Sequence, residues 1–292
     1  MMPVPAQNQQ YENFIIRYKQ NTHGGFDYES DENFQIVNDL FGILYVPMQK
    51  VPELELSSYS YSSIPRCYTY MDTGALSTSG VTRLHNHPYL KLQGKGTLVA
   101  VIDSGIDYLH PAFHNGVQSK IFSIWDQTLE GGADGRIPFG REFGRQQIEQ
   151  ALASENPWEI VPSSDTNGHG TRSAATAAGY RIEKDNFCGA APEAEIVIVK
   201  LKQAKNYLRD FYLLPRDIDI FQEDDIMLAI SYVLFIAQEQ QMPLSICIGL
   251  GTSMGAHQGE GPLKEYINSI AAFTQNAVSV PAGNEGTAKH HY

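Results

Sequence analysis

The run from Gly96 to Pro111, GTLVAVIDSGIDYLHP, constrains this chain more than any other stretch. Leu98 to Ile102 is apolar and rich in β-branched residues, with no polar residue alternating among them. A strand of that kind is buried on both faces, the condition of a strand inside a parallel sheet. It stops at Asp103, followed at once by Ser104 and Gly105. Open α/β sheets carry their sites at the carboxyl ends of such strands, so Asp103 is a candidate site residue. Asp-Ser-Gly is also ordinary turn chemistry, and by itself the motif leaves both readings open.

Two later stretches join it. Asp165 to Gly179 reads DTNGHGTRSAATAAG. His169 lies between Gly168 and Gly170, just before a run of small residues suited to a closely packed helix. Thr171 and Ser173 are placed to serve near that helix start. Ser279 to Gly286, SVPAGNEG, is an apolar strand entering a Gly-Asn-Glu-Gly turn.

IDSGID, NGHGT and AGNEG, in that order, resemble the subtilases, the subtilisin-like serine proteases. The resemblance spans residues 90–292 and implies an α/β fold, a doubly wound, mostly parallel sheet with helices on both faces. It implies that Asp103 is the triad acid, His169 the general base and Asn284 the side-chain oxyanion donor. GAAPEAEIVIVKL, Gly189 to Leu201, resembles the core strand that follows the His helix in this family. SSIPRCYTYMD, IWDQT and KHHY are similar to the clostridial branch that includes the spore-germination proteases.

GTSMG, Gly251 to Gly255, looks like the nucleophile motif of the family, but its position is wrong. The family order is acid, base, nucleophile, and the oxyanion Asn precedes the nucleophile. Here Ser253 comes before Asn284. GLGTSMG directly follows the apolar run ICIGL and matches the family's substrate-cleft strand. Gly249, Leu250 and Gly251 are therefore the expected substrate-binding backbone, where a peptide pairs by strand addition. The family continues past Tyr292, so the nucleophilic serine is expected beyond it, and the chain alone is expected to be inactive. The alternative is a non-catalytic pseudoprotease, a regulatory or binding protein that keeps the cleft. An intact Asp103 and His169 favour the enzyme, because a pseudoprotease has no chemical need for both.

The 292 residues suffice for one large α/β domain and a smaller element. NFIIRY from Asn13 and FGILYV from Phe41 read as strands, and Pro47 to Leu56 as a turn with a short helix. Residues 1–65 resemble the small prodomain that precedes many subtilase domains and blocks the cleft, an intramolecular inhibitor; a sheet extension packed on the main domain is the other reading. Ser57 to Pro65 is the expected linker, with a processing site near it, and residues 66–292 form the catalytic domain.

The interval between Asp103 and His169 is longer than in compact subtilases and reads as an insertion, either a loop near the cleft that shapes substrate access or a surface decoration. It holds a strand at Ile121 to Trp125, a Gly-rich turn at Glu130 to Arg136 and a short helix at Gln146 to Ala153. Lys202 to Phe221 is irregular. A helix follows from Asp224 to Gln240, with Ile226, Ala229, Ile230, Val233 and Ala237 on one face. A strand is expected at Leu244 to Leu250 and a helix at Leu263 to Thr274.

The net charge of −12 argues against nucleic acid and gives no membrane-surface patch; it reads as a solubility feature ahead of a basic substrate, with attraction of basic peptides the second reading. Peptide or protein substrates are the expected partners. Cys67, Cys188 and Cys247 are too few, and odd in number, for a disulfide framework. Cys247 lies in an apolar run and reads as a small core residue. Residues 1–20 lack a basic start followed by an apolar core, and no run approaches the ~20 apolar residues that span a bilayer. A cytoplasmic or spore-associated location is expected. No cofactor or metal is expected. His290 and His291 are adjacent and would point to opposite sides of a strand. The acidic residues from Asp217 to Asp225 offer ligands to calcium, but a solvated helix start accounts for them.

Overall fold

The computed structural model describes residues 4–17, 33–51, 54, 59–70, 81, 85, 89, 92–131, 136–252, 254, 260–273 and 275–281. In chain order the strands are β1 (Tyr11–Arg17), β2 (Phe34–Ile36), β3 (Phe41–Pro47), β4 (Cys67–Tyr70), β5 (Leu98–Asp103), β6 (Ile121–Asp126), β7 (Arg141–Gly144), β8 (Glu195–Lys200), β9 (Phe221–Gln222), β10 (Leu244–Ile248), β11 (Leu250–Gly251) and β12 (Asn276–Ser279). The helices are α1 (Arg145–Leu152), α2 (Pro157–Ile160), α3 (His169–Ala178), α4 (Asn206–Phe211), α5 (Glu223–Gln240) and α6 (Pro262–Ala271).

The main sheet runs β12-β10-β5-β8-β6-β7, parallel throughout except for β7 at one edge. Successive side chains of a strand point to opposite faces, and β5 shows it residue by residue. Leu98, Ala100 and Ile102 enter the core that holds α5 and α6. Val99 and Val101 enter the other core, with Ala174 and Ala178 of α3 and Ile148 and Ala151 of α1. Helices thus cover both faces, as the subtilase resemblance implies. The stretch between Asp103 and His169 is not a cleft loop. It supplies β6, β7 and α1, which build one side of the main sheet.

A second sheet, β1-β3-β2, is antiparallel. Its Ile15, Phe41, Ile43 and Tyr45 share one apolar core with Ile226, Met227 and Ile230 of α5. Covered by both sheets, α5 is apolar beyond the stripe its period predicts: Met227, Leu228, Tyr232 and Ile236 are buried too. Polar ties reinforce the contact. Lys205 Nζ donates to Pro5 O (2.8 Å), Tyr11 O (3.1 Å) and Asn13 Oδ1 (2.7 Å). Asn13 Nδ2 donates to Asp224 Oδ2 at 2.6 Å.

Asp224 and Asp225 do not form a solvated helix start. Both are buried, and Lys202 Nζ donates to Asp225 Oδ2 at 2.5 Å. The positive amino end of α5 accepts their charge, and their oxygens bind the chain entering from β1 and from Lys202. Lys202 to Phe221 is not wholly irregular either, since it contains α4.

The third sheet is small and runs β11-β4-β9. β4 is its central strand, antiparallel to both neighbours: Tyr70 opposes Leu250, Thr69 opposes Gly251, Tyr68 opposes Phe221 and Cys67 opposes Gln222. Ser63, just upstream, takes the Ile15 N–H on its carbonyl at 2.8 Å, so the chain before β4 is fastened to β1.

Candidate active site

The alternation along β5 turns Asp103, its last residue, to the face on which α3 packs. His169 is the first residue of α3. His169 Nδ1 stands 2.7 Å from Asp103 Oδ1 and 3.0 Å from Oδ2. A carboxylate only accepts, so Nδ1 carries the proton and Nε2 is the basic nitrogen. Asp103 is fully buried, and its Oδ1 also accepts the Ser104 N–H at 2.7 Å. His169 is 8% exposed.

The helix start that presents His169 is fully hydrogen-bonded. The first N–H groups of a helix have no partner within it and need others. His169 N donates to Asn167 Oδ1 (2.8 Å), Gly170 N to Ser104 Oγ (2.9 Å) and Thr171 N to Asp165 Oδ2 (2.8 Å). Asp165 gathers more: Thr171 Oγ1 donates to Oδ2 at 2.6 Å, and Ser104 Oγ (2.8 Å) and Gly168 N (3.1 Å) donate to Oδ1. Burial on its own raises the Asp165 carboxyl, but these bonds outweigh it and hold it below the usual range. Ser104 and Asp165 thus lock the turn after β5 to the start of α3. They are the residues that sequence reasoning missed. The signal was present: Asp and Asn just ahead of a helix are the favoured capping types. Thr171 serves as expected, also accepting the Asp107 N–H at 2.9 Å. Ser173 does not cap; its Oγ is buried without a hydrogen-bond partner among the described residues.

Two glycines allow the close approach. A Cβ on Gly170 would stand 2.2 Å from Gly105 O. A Cβ on Gly249 would stand 2.3 Å from Asp103 Oδ2 and 3.1 Å from His169 Cε1. Gly249 therefore lies against the His–carboxylate pair, between β10 and β11. Leu250 and Gly251 form β11 and already pair with β4. Asn284 and Ser253 lie outside the described residues. Cys247 is no substitute nucleophile: burial, with the Asp103 charge, pushes its thiol up to about 11. Among the described residues, no group of three or more His, Cys, Asp or Glu is arranged to hold a metal ion.

A buried carboxylate orienting a histidine at the carboxyl end of a parallel sheet defines a class of hydrolase-like α/β sites. Residues 94–213 match the model of the subtilase family, Peptidase S8. That stretch is similar to a subtilase domain, and the fold is the subtilisin-like α/β fold. "Subtilisin-like protease SBT1.4" of Arabidopsis thaliana is 30% identical over 125 residues, 37% of this chain and 16% of that protein. "Intracellular serine protease" of Paenibacillus polymyxa is 29% identical over 196 residues, 66% of this chain and 43% of that protein. The solved structure of the Clostridium perfringens CspB protease matches with a TM-score of 0.58 and 29% identity, covering 71% of this chain and 39% of that one. That match fits the clostridial resemblance of SSIPRCYTYMD and IWDQT. The chain spans less than half the length of each of these relatives. Among the described residues no helix is long and apolar enough to cross a membrane.

Proposed function

We propose that this chain supplies the acid and base of a serine endopeptidase. Asp103 fixes the imidazole tautomer and stabilises its cation. His169 takes the serine proton at Nε2 and later returns it to the leaving amine. Asn284 donates to the oxyanion, and the backbone of Gly249 to Gly251 holds the peptide. The serine comes from sequence beyond Tyr292. The observation that carries the reading is the 2.7 Å contact between His169 Nδ1 and the buried Asp103 carboxylate. A base and its orienter have little use without a group to deprotonate.

Residues 1–65 act in this reading as a prodomain, extended through β4, so that the proposed boundary falls after Tyr70 and not at Pro65. The central place of β4 between β9 and β11 supports it, because an antiparallel strand lying there occupies the groove where a substrate would add. The enzyme acts inside the cell or the spore on peptide or protein substrates, without metal or cofactor.

The test is labelling with a fluorophosphonate probe. The 292-residue chain should stay unlabelled and leave peptides intact. A product extended through the downstream serine should be labelled there once its N-terminal segment is cut, and labelling should vanish in His169→Ala. An extended, processed protein that stays unlabelled would favour the pseudoprotease.

A further inference from the structure

β5, β8 and β6 are neighbours in the main sheet, and each ends on a charged residue. Lys200, the last residue of β8, stands opposite Asp103 of β5 on one side and Asp126 of β6 on the other. Residues paired across a sheet share a face. Two positions before each, Val101, Ile198 and Ile124 lie in the core under α3. The three charges therefore form a row on the face that carries His169. Within that row Lys200 is paired with one neighbour: its Nζ is 3.6 Å from Asp126 Oδ2, and among the described residues no ion pair joins it to Asp103.

Asp126 is fully buried and held in place. Its Oδ1 accepts the Thr128 N–H at 2.8 Å and the Thr128 hydroxyl at 2.6 Å, and its Oδ2 accepts the Ser163 hydroxyl at 2.7 Å. Ser163 is fully buried too, two residues ahead of Asp165. The Lys200 stem lies against Gly105, two residues past Asp103, where a Cβ would stand 3.0 Å from Lys200 Cδ. A lysine head on a flexible four-carbon stem can turn from one carboxylate to the next.

We infer that Asp126 is a positioning residue of the acid–base pair: it holds the Lys200 ammonium off Asp103, so that the Asp103 carboxylate serves His169 alone. The inference rests on the protease reading above and adds a residue to it. Without the Asp126 charge, two cations would compete for Asp103, and the imidazolium that the reaction needs would lose support. The other ionisable groups around the pair are Asp165 ahead of α3, Asp107 beside Thr171 and Cys247 of β10; Arg172, on α3 itself, is exposed. Of the groups in the row, Lys200 alone is cationic at all working pH values.

The experiment titrates His169 in the 292-residue chain by NMR, its signal assigned by loss in His169→Gln. It needs no serine, so fluorophosphonate labelling tests the protease reading separately. Asp126→Asn should lower the His169 midpoint by about half a pH unit or more, the scale of a unit charge brought one strand spacing nearer at an effective dielectric of about 20. Lys200→Met should raise the midpoint, and the double variant should return it close to the wild-type value. A merely structural role for Asp126 would lower the midpoint in the double variant as far as in the single. That result, or an unchanged midpoint in Asp126→Asn, overturns the inference. If Asp126→Asn loses the dispersed spectrum of a folded chain, Lys200→Met decides: a raised midpoint supports the inference and an unchanged one overturns it.

Discussion

Gly249 is pressed so closely on Asp103 that a methyl group there would lie 2.3 Å from the carboxylate oxygen. The nearest contact is a side-chain atom of the proposed acid, and the next is His169 Cε1, so a larger residue must displace the pair. Displacement of a reacting group by about 1 Å costs on the order of 100-fold in rate. Gly249→Ala in the extended protein should lose activity by that order through kcat, with KM for peptides changed little. An unchanged kcat would show that the cleft strand yields instead of the dyad.

Asp103→Asn keeps the shape but allows the wrong imidazole tautomer. It should cost on the order of 10⁴ in turnover. His169→Ala should cost at least as much, and the double variant should be no worse than the more damaging single one, since the two act as a unit. Additive losses in steady-state kinetics would count against a joint role.

Asp165 ties the acid-bearing turn to the base-bearing helix. Its folded value lies below the ordinary 3.8, so its contribution is fully present above that value. The contribution is lost as the pH falls from there through the lower folded value. Asp165→Asn should flatten thermal stability against pH below 4 and should cost about 1 kcal/mol near neutrality, as for a lost helix cap. Melting curves from pH 3 to 7 measure both effects.

Ser253→Ala in the extended protein should leave most activity. A loss of about 10³ or more in turnover would instead mark Ser253 as the nucleophile.

Self-processing should cut just after β4. β4 pairs with the expected substrate-binding strand up to Tyr70, opposite Leu250 and next to Gly249, so the expected cut falls within about three residues past Tyr70 in sequence. Mass spectrometry of the processed N-terminus decides it. A cut between Ser57 and Pro65 would mean that β4 stays as part of the mature enzyme.

β5 and α3 were legible because each states its environment locally. An unbroken β-branched run means burial on both faces, and a small-residue helix means close packing. Both patterns sit next to the residue that does the chemistry. The third sheet was not legible. β9 and β11 have two residues each, and Arg66 meets Glu223 across 157 positions of chain, so no local period marks the pairing. The acidic start of α5 misled for a related reason. Glu223, Asp224 and Asp225 look solvated in sequence, but their partners Arg66, Asn13 and Lys202 reach them through tertiary contacts. The interval before His169 read as an insertion because β6 carries no mark of its place beside β8.

In the proposed prodomain reading, the central position of β4 has a consequence for inhibition. A strand joined covalently to the body it fills competes at an effective concentration of order millimolar, whatever the dilution of the protein. A free peptide at micromolar levels cannot displace it. Cutting the tether leaves every contact of β4 in place but turns its rebinding into a bimolecular event. From then on, occupancy follows how much of the segment survives in solution. Its destruction, rather than its cleavage, would set the moment at which the groove opens.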